Sequence, residues 1–303
     1  MSYSVLIADP IDKQAQQMLI DAGFEVTAPG EPTPEEIIKL IPDFDVLVVR
    51  SRTKVTSAMI DAGKKLKVIG RAGVGVDTID IAEAKARGIK VFNAPGSNSR
   101  SVAEHAIGLM FALARMIPAA DASMKAGKWE KKLFKGIELE WKTLGVLGYG
   151  NVGRVVAGLA AGLGMKVLIW SRTMPSSISC EWMADIQELF SRADFISVHL
   201  PRTAETEYLV RKDLLGAMKK TAFLVNTARG GIVHEKDLLD ALNSGILAGA
   251  GLDVFEGEPA PMPALVGHPR VIATPHIAAL TKEAQQRAGV MIAEQIIQWS
   301  SKI

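Results

Sequence analysis

Gly148-Tyr149-Gly150-Asn151-Val152-Gly153 is the stretch whose reading decides the fold. It follows the apolar run 144–147 and opens the helix-like run 152–163. In a strand-turn-helix unit of this kind the first glycine makes the tight turn, the second lets backbone approach a pyrophosphate, and the third lets helix pack on strand. The phosphates then sit on a helix N-terminus, where unpaired N–H groups and the helix dipole both favour an anion. With both flanks present, the motif predicts a site for a nicotinamide or flavin dinucleotide.

The second strand of that unit, 166–170, ends in Ser171-Arg172-Thr173 rather than in an acid. An Asp or Glu there would bond the ribose 2′-hydroxyl of NAD and repel the 2′-phosphate of NADP, whereas Arg172 can pair with that phosphate. The cofactor reading is therefore NAD or NADP, with NADP favoured. The competing reading leaves Arg172 as a solvated loop charge and places Ser171 on an ordinary NAD ribose.

A chain of 303 residues sits where a single hydrophobic core stops growing, so two lobes are expected. With 35 Lys and Arg against 33 Asp and Glu, there is no electrostatic footprint for nucleic acid or an anionic membrane, which leaves small molecules or another protein as partners. One cysteine, Cys180, excludes an intrachain disulfide and a multi-cysteine metal site, and it suits a reducing cytosol. The start, Met1-Ser2-Tyr3-Ser4-Val5-Leu6-Ile7-Ala8, lacks the charged and long apolar regions of a signal peptide. The longest apolar runs, such as 106–114, are about half of what a bilayer needs. A soluble, cytoplasmic protein with no metal is the expectation.

Short β-rich runs at 4–8, 24–28, 45–49, 66–70 and 89–92 alternate with amphipathic segments, as parallel βαβ units require. Thr33, Pro34 and Glu36 supply a cap, a first-turn proline and a capping-box acid before Ile37. After the loop 93–99, residues 101–117 read as one long helix too apolar to face water all round. A second series of strands runs from Thr143 through 166–170, 194–198, 222–226 and 247–253 to 271–274. The closing helix, 282–300, carries Ala284, Ala288, Met291, Ile292, Ile296 and Ile297 at helical spacing and is assigned to the first lobe. The fold class is α/β with two doubly wound parallel-sheet domains. A Rossmann dinucleotide-binding domain, 99–275, is inserted in a flavodoxin-like substrate domain, 1–98 plus 276–303, with a ligand cleft between the two.

Three polar positions interrupt apolar surroundings: Arg229 in Asn226-Thr227-Ala228-Arg229-Gly230-Gly231, Glu258 in Phe255-Glu256-Gly257-Glu258-Pro259, and His276 in Thr274-Pro275-His276-Ile277. Each follows the end of an expected strand, where α/β folds place reactive groups. Histidine titrates near neutrality, a neighbouring carboxylate favours its charged form, and arginine holds an anion bidentately. Together they can bind a 2-hydroxy acid and move its proton. On periodicity alone each reads equally as a loop charge, or as a capping or core histidine.

These motifs resemble the D-isomer-specific 2-hydroxyacid dehydrogenases, through the loop 148–153, residues 226–231, 253–259 and 274–276. The resemblance extends over nearly the whole chain. It implies that Arg229 binds the substrate carboxylate and carbonyl, that His276 is the general acid/base, and that Glu258 orients and tunes it. It further implies that Asp253 holds the nicotinamide amide and that backbone amides of Gly73-Val74-Gly75 hold the substrate carboxylate. His199, just past the strand 194–198, joins the cofactor contacts.

Within the family the N-terminal half is most similar to the D-3-phosphoglycerate dehydrogenases, in Val49-Arg50-Ser51-Arg52-Thr53-Lys54, Gly70-Arg71-Ala72-Gly73-Val74-Gly75-Val76-Asp77 and Ser123-Met124-Lys125-Ala126-Gly127-Lys128-Trp129-Glu130. That similarity implies that Arg50 and Ser51 face a substrate phosphate, that Lys131 reaches across from a second subunit, and that a homodimer forms around residues 101–131. The reaction implied is hydride transfer between D-3-phosphoglycerate and the cofactor, the first step of serine biosynthesis. Clustering alone would equally make Arg50, Arg52 and Lys54 a solvated basic rim. Two departures stand out: Ser171 replaces the acid expected for NAD, and the sequence ends at Ile303 without the C-terminal regulatory domains that many of these enzymes have. The first suits an NADPH-dependent glyoxylate/hydroxypyruvate reductase, the second function considered. A dinucleotide-sensing corepressor-like scaffold is the remote third.

Overall fold

The computed structural model describes residues 2–176 and 179–301. Met1, Ser177, Ile178, Lys302 and Ile303, which the terminal and domain readings included, lie outside the described residues. The chain forms two compact units, Met1–Asn98 with Ala279–Ile303, and Ser99–Ala278.

The first unit alternates β1 (Ser4–Ile7), α1 (Lys13–Asp21), β2 (Glu25–Thr27), α2 (Pro34–Leu40), β3 (Val46–Val49), α3 (Ser57–Ala62), β4 (Val68–Arg71), α4 (Ile81–Ala86) and β5 (Lys90–Asn93). Its parallel strands lie in the order β2-β1-β3-β4-β5, which is the flavodoxin-like order. The Val-Leu-Val-Val of β3 is buried along its whole length, as a strand covered on both faces must be. The capping box of α2 forms as expected: Glu36 N–H donates to Thr33 Oγ1 at 3.3 Å, and Thr33 N–H to Glu36 Oε2 at 2.7 Å.

The chain's last helix, Lys282–Ser300, spans the bounds read from its periodicity and packs in this unit, with Ala288, Ile292, Ala293 and Ile296 against Val5, Ile7, Val46, Val48 and Val68. Gly70 on β4 permits the approach, since a Cβ there would lie 2.7 Å from Ile292 Cγ2.

The second unit comprises α5 (Ser99–Arg115), α6 (Ile117–Lys125), β6 (Thr143–Leu147), α7 (Asn151–Gly162), β7 (Lys166–Trp170), β8 (Glu181–Met183), α8 (Ile186–Arg192), β9 (Phe195–Val198), α9 (Lys212–Ala217), β10 (Phe223–Asn226), α10 (Glu235–Asn243), β11 (Gly249–Leu252), α11 (Pro263–Val266) and β12 (Val271–Ala273). The helix closing the chain is α12. The sheet order β12-β11-β10-β9-β6-β7-β8 is the doubly wound Rossmann arrangement with one added strand. Helices α5 and α7 cover one face and α8, α9 and α10 the other. No single helix among the described residues is long and apolar enough to cross a membrane.

Two sequence expectations are corrected, and one strand was not anticipated. The single helix over 101–117 is two: α5 ends at Arg115, Met116 takes φ 52°, and α6 starts at Ile117. Pro118 within the first turn of α6 cannot donate a backbone hydrogen bond into a continuing helix, so the chain re-initiates there. Strand β8 was not anticipated, being a three-residue edge strand with little periodic signal. The second unit extends to Ala278 rather than 275, because the N–H groups of His276, Ile277 and Ala278 are all bonded to Asp253.

Ile292 is fully buried beneath the β-sheet of the first unit. Ile292→Ala is expected to destabilise the protein by about 2–5 kcal/mol through lost contacts and a cavity, read as a lower midpoint in urea unfolding.

Candidate active site

The dinucleotide motif sits where the winding of the sheet reverses. Neighbouring strands β6 and β9 feed helices on opposite faces, which opens a crevice at their carboxyl ends. Gly148 has φ +102°, and a Cβ on it would lie 2.6 Å from His199 O; a Cβ on Gly153 would lie 2.0 Å from Gly148 O. Among the described residues nothing lies within 4 Å of the Cβ position of Gly150, which caps α7 without a side-chain bond. So two glycines are needed for the protein's own packing and the middle one leaves open space. Helix α7 begins next to that space, and the first-turn N–H groups of Asn151, Val152 and Gly153 are a donor set that fits a pyrophosphate.

Around this loop, the Tyr149 ring lies 5.1 Å from the Arg154 guanidinium. Burial and the neighbouring Cys180 thiol raise the pKa of the Tyr149 hydroxyl, and burial raises that of Cys180, in keeping with a packing role for the cysteine. Ser171 Oγ donates to Thr173 O at 2.8 Å, and Arg172 and Thr173 are exposed. His199 donates its N–H to Leu147 O at 2.8 Å, and its Nε2 lies 2.8 Å from the buried Ser197 Oγ, a partner that sequence reading missed. Its Nδ1 is occluded and without a partner among the described residues, and burial lowers its pKa to about 3, so the ring is neutral.

Arg229, Glu258 and His276 follow β10, β11 and β12, respectively, in the second unit. His276 Nδ1 is 2.8 Å from Glu258 Oε2. A carboxylate can only accept, so Nδ1 carries a proton, and in the neutral ring Nε2 then presents the lone pair. The other Glu258 oxygen accepts from Phe255 N–H at 2.9 Å, which fixes the carboxylate's orientation. His276 has φ 53° and is held there by Asp253 O and Thr274 O, which accept its N–H at 2.8 and 3.0 Å. Arg229 Nη1 donates to Ala228 O at 2.7 Å, and its own carbonyl accepts from Asn226 Nδ2 at 3.1 Å. Gly230 brings this loop onto the glutamate loop: a Cβ there would lie 1.8 Å from Phe255 O.

Asp253 is fully buried. Its Oδ1 accepts from Thr274 Oγ1 at 2.6 Å and Ile277 N–H at 2.9 Å, and its Oδ2 from Ala278 N–H at 2.9 Å. Its visible work is anchoring the histidine turn. Because Thr274 donates to Asp253, its oxygen accepts from His105 Nε2 at 3.0 Å. A further brace was not legible in sequence. Glu235 N–H donates to Glu256 Oε1 at 2.8 Å, and Glu256 N–H donates to Glu235 Oε1 at 2.6 Å. Glu235 is buried, and burial first, then Glu256 and Glu258, raises its pKa. In sequence it is indistinguishable from an ordinary first-turn acid of α10.

In the first unit, Arg50 and Ser51 follow β3, and Gly73-Val74-Gly75 follow β4. Gly73 O accepts from Ala94 N–H at 2.9 Å and Val74 O from Asn93 Nδ2 at 2.7 Å, whereas the N–H groups of Val74 and Gly75 have no acceptor among the described residues. Lys131 begins a one-turn 3₁₀ segment and is exposed.

A Rossmann crevice with a glycine loop and a histidine-carboxylate pair at the strand ends defines a nicotinamide-dinucleotide oxidoreductase. Residues 107–278 match the model of the D-isomer specific 2-hydroxyacid dehydrogenase NAD binding domain. The chain is 47% identical over 298 residues to a hydroxypyruvate reductase of Thermotoga maritima, covering 97% of each protein. It is 48% identical over 296 residues to a D-3-phosphoglycerate dehydrogenase of Methanocaldococcus jannaschii, covering 96% of this chain and 56% of that one. The chain thus spans little more than half of that relative. The NAD+-bound 3-phosphoglycerate dehydrogenase of Entamoeba histolytica superposes with TM-score 0.84 at 32% identity, covering 99% of this chain and 96% of that one. The chain belongs to the D-isomer-specific 2-hydroxyacid dehydrogenases; it is an oxidoreductase with NAD or NADP as its cofactor.

The occluded His199 makes stability pH-dependent. The unfolded histidine takes up a proton below its ordinary value of 6.5, while the folded one stays neutral down to about 3. Stability therefore falls as pH drops from 6.5 toward 3, by about 2 kcal/mol at pH 5. Melts of His199→Gln should lose correspondingly less between pH 7 and pH 5 than the parent, and equal losses would refute the assignment.

Proposed function

We propose that the protein oxidises D-3-phosphoglycerate, or reduces the corresponding 2-oxo acid, at the entry to serine biosynthesis. The observation that carries the reaction is the His276–Glu258 pair at 2.8 Å, with Nε2 left for substrate. The bound nicotinamide supplies hydride acceptance and donation at substrate C2. His276 Nε2 takes the hydroxyl proton during oxidation and returns it during reduction. Glu258 stabilises the imidazolium so formed and keeps the ring from turning. Arg229 is assigned to the substrate carboxylate through a planar two-bond fork. In the first unit, the amides of Val74 and Gly75, without an acceptor among the described residues, are a donor pair suited to a carboxylate.

The pyrophosphate is assigned to the loop 148–153, the adenosine ribose to Ser171-Arg172-Thr173, and the rest of the cofactor surface to His199 and Asp253. Arg50 and Ser51 are assigned to the substrate phosphate, with Lys131 contributed across a homodimer. Exposed Phe111, Ile117, Met124, Trp129, Leu133 and Trp141 support a dimer contact in that part of the chain. The cytosol is the proposed compartment.

A second reading, NADPH-dependent reduction of glyoxylate or hydroxypyruvate, is favoured by the exposed Arg172 and by the absence of an acid at Ser171. Initial rates with NADH and NADPH, each crossed with phosphohydroxypyruvate, hydroxypyruvate and glyoxylate, separate the two. The first reading requires the highest kcat/KM on phosphohydroxypyruvate, together with a selective loss of that activity in Arg50→Gln. A higher value on glyoxylate or hydroxypyruvate with NADPH replaces it by the second.

His276→Ala should lower kcat by at least about a hundredfold while sparing cofactor affinity. Unchanged turnover would remove the histidine from the mechanism under either reading.

A further inference from the structure

Asp9, two residues beyond β1, is 2% exposed, and among the described residues the polar partners of its carboxylate lie in the loop that follows β3. Oδ2 accepts the N–H groups of Arg50 at 2.6 Å and Thr53 at 3.1 Å. Oδ1 accepts the Thr53 hydroxyl at 2.6 Å and pairs with Arg52 Nη2 at 3.0 Å. Arg52 is further committed to the fold, its guanidinium donating to Ala8 O at 2.7 Å and Pro32 O at 3.0 Å. Among the described residues the Arg50 side chain makes one long bond, from Nη1 to Pro10 O at 3.3 Å, and so keeps most of its five donors. One buried anion thus sorts the basic run: Arg52 is turned into structure and Arg50 is presented.

We propose that Asp9 is the positioning residue that sets selectivity for a phosphorylated substrate, by fixing the backbone from Arg50 to Thr53 so that the Arg50 guanidinium meets a phosphate dianion. This rests on the phosphate reading of Arg50 above. Geometry makes the carboxylate hard to replace. All four of its partners are donors, so an amide at this position would turn an N–H₂ group toward other donors and release part of the loop. A guanidinium recognises phosphate through two parallel bonds of fixed spacing, and such recognition is lost with a small change in backbone angle. A carboxylate-only substrate makes no demand on this loop.

The test is kcat/KM for phosphohydroxypyruvate and for hydroxypyruvate in the parent, Asp9→Asn, Thr53→Val and Arg50→Gln, with folding checked by circular dichroism. In Asp9→Asn the phosphorylated-to-unphosphorylated ratio should fall by at least about tenfold, mainly through KM, with a smaller fall in Thr53→Val. A folded Asp9→Asn that keeps the parental ratio, or loses both activities equally, overturns the inference. Should Asp9→Asn fail to fold, a parental ratio in Thr53→Val overturns it instead. If Arg50→Gln loses the preference while the Asp9 and Thr53 variants keep it, the phosphate reading survives alone. A parent with no preference for the phosphorylated substrate removes both.

Discussion

The buried carboxylate of Asp253 is the contact on which the loops at the strand ends of the second unit depend. It lies just past β11 and gathers the Thr274 hydroxyl and two successive N–H groups, of Ile277 and Ala278. Between those points the backbone must reverse sharply, and His276 pays for the reversal with a left-handed conformation of φ 53°. Such a conformation costs a non-glycine residue on the order of 1–2 kcal/mol, which three charge-assisted bonds offset. The result is a histidine whose backbone is fixed by its hydrogen bonds, while Glu258 holds its Nδ1.

The same economy of space joins the remaining loops. Gly230 lets the arginine loop lie on the carbonyl of Phe255, and the reciprocal Glu235–Glu256 bonds tie the start of α10 to the glutamate turn. Burial and two acidic neighbours favour the neutral form of Glu235, which is the reason its pKa is raised even though Glu256 N–H donates to it. The Asp9 loop in the first unit follows a similar logic, with one enclosed anion ordering donors that would otherwise repel each other.

Much of this was legible in one dimension. The glycine spacing fixed the first βα turn, the Thr33–Glu36 box fixed the start of α2, and the 3.6-residue pattern gave α12 its bounds, because each depends on contacts within one or two turns of chain. Arg229, Glu258 and His276 stood out in sequence because each follows the end of an expected strand, and β10, β11 and β12 do end before them. Met116 and β8 were missed: a proline one residue into a new helix leaves the apolar pattern intact, and three residues are too few for a period. Asp9, Glu235 and Ser197 were missed for another reason, since an acid after a strand, an acid in a first turn and a serine in a strand are all unremarkable until their partners are known.

Sequence by itself therefore determined the fold class and the glycine turn after β6, and it singled out Arg229, Glu258 and His276 as candidates. Only tertiary structure decided that Glu258 takes Nδ1, that Asp253 anchors the histidine turn, and that Arg52 is bound into the fold while Arg50 is presented. The physical reason is range. Local motifs are set by backbone geometry over a few residues, whereas which donor a buried carboxylate satisfies is settled between segments tens of residues apart, 41 in the case of Asp9 and Arg50.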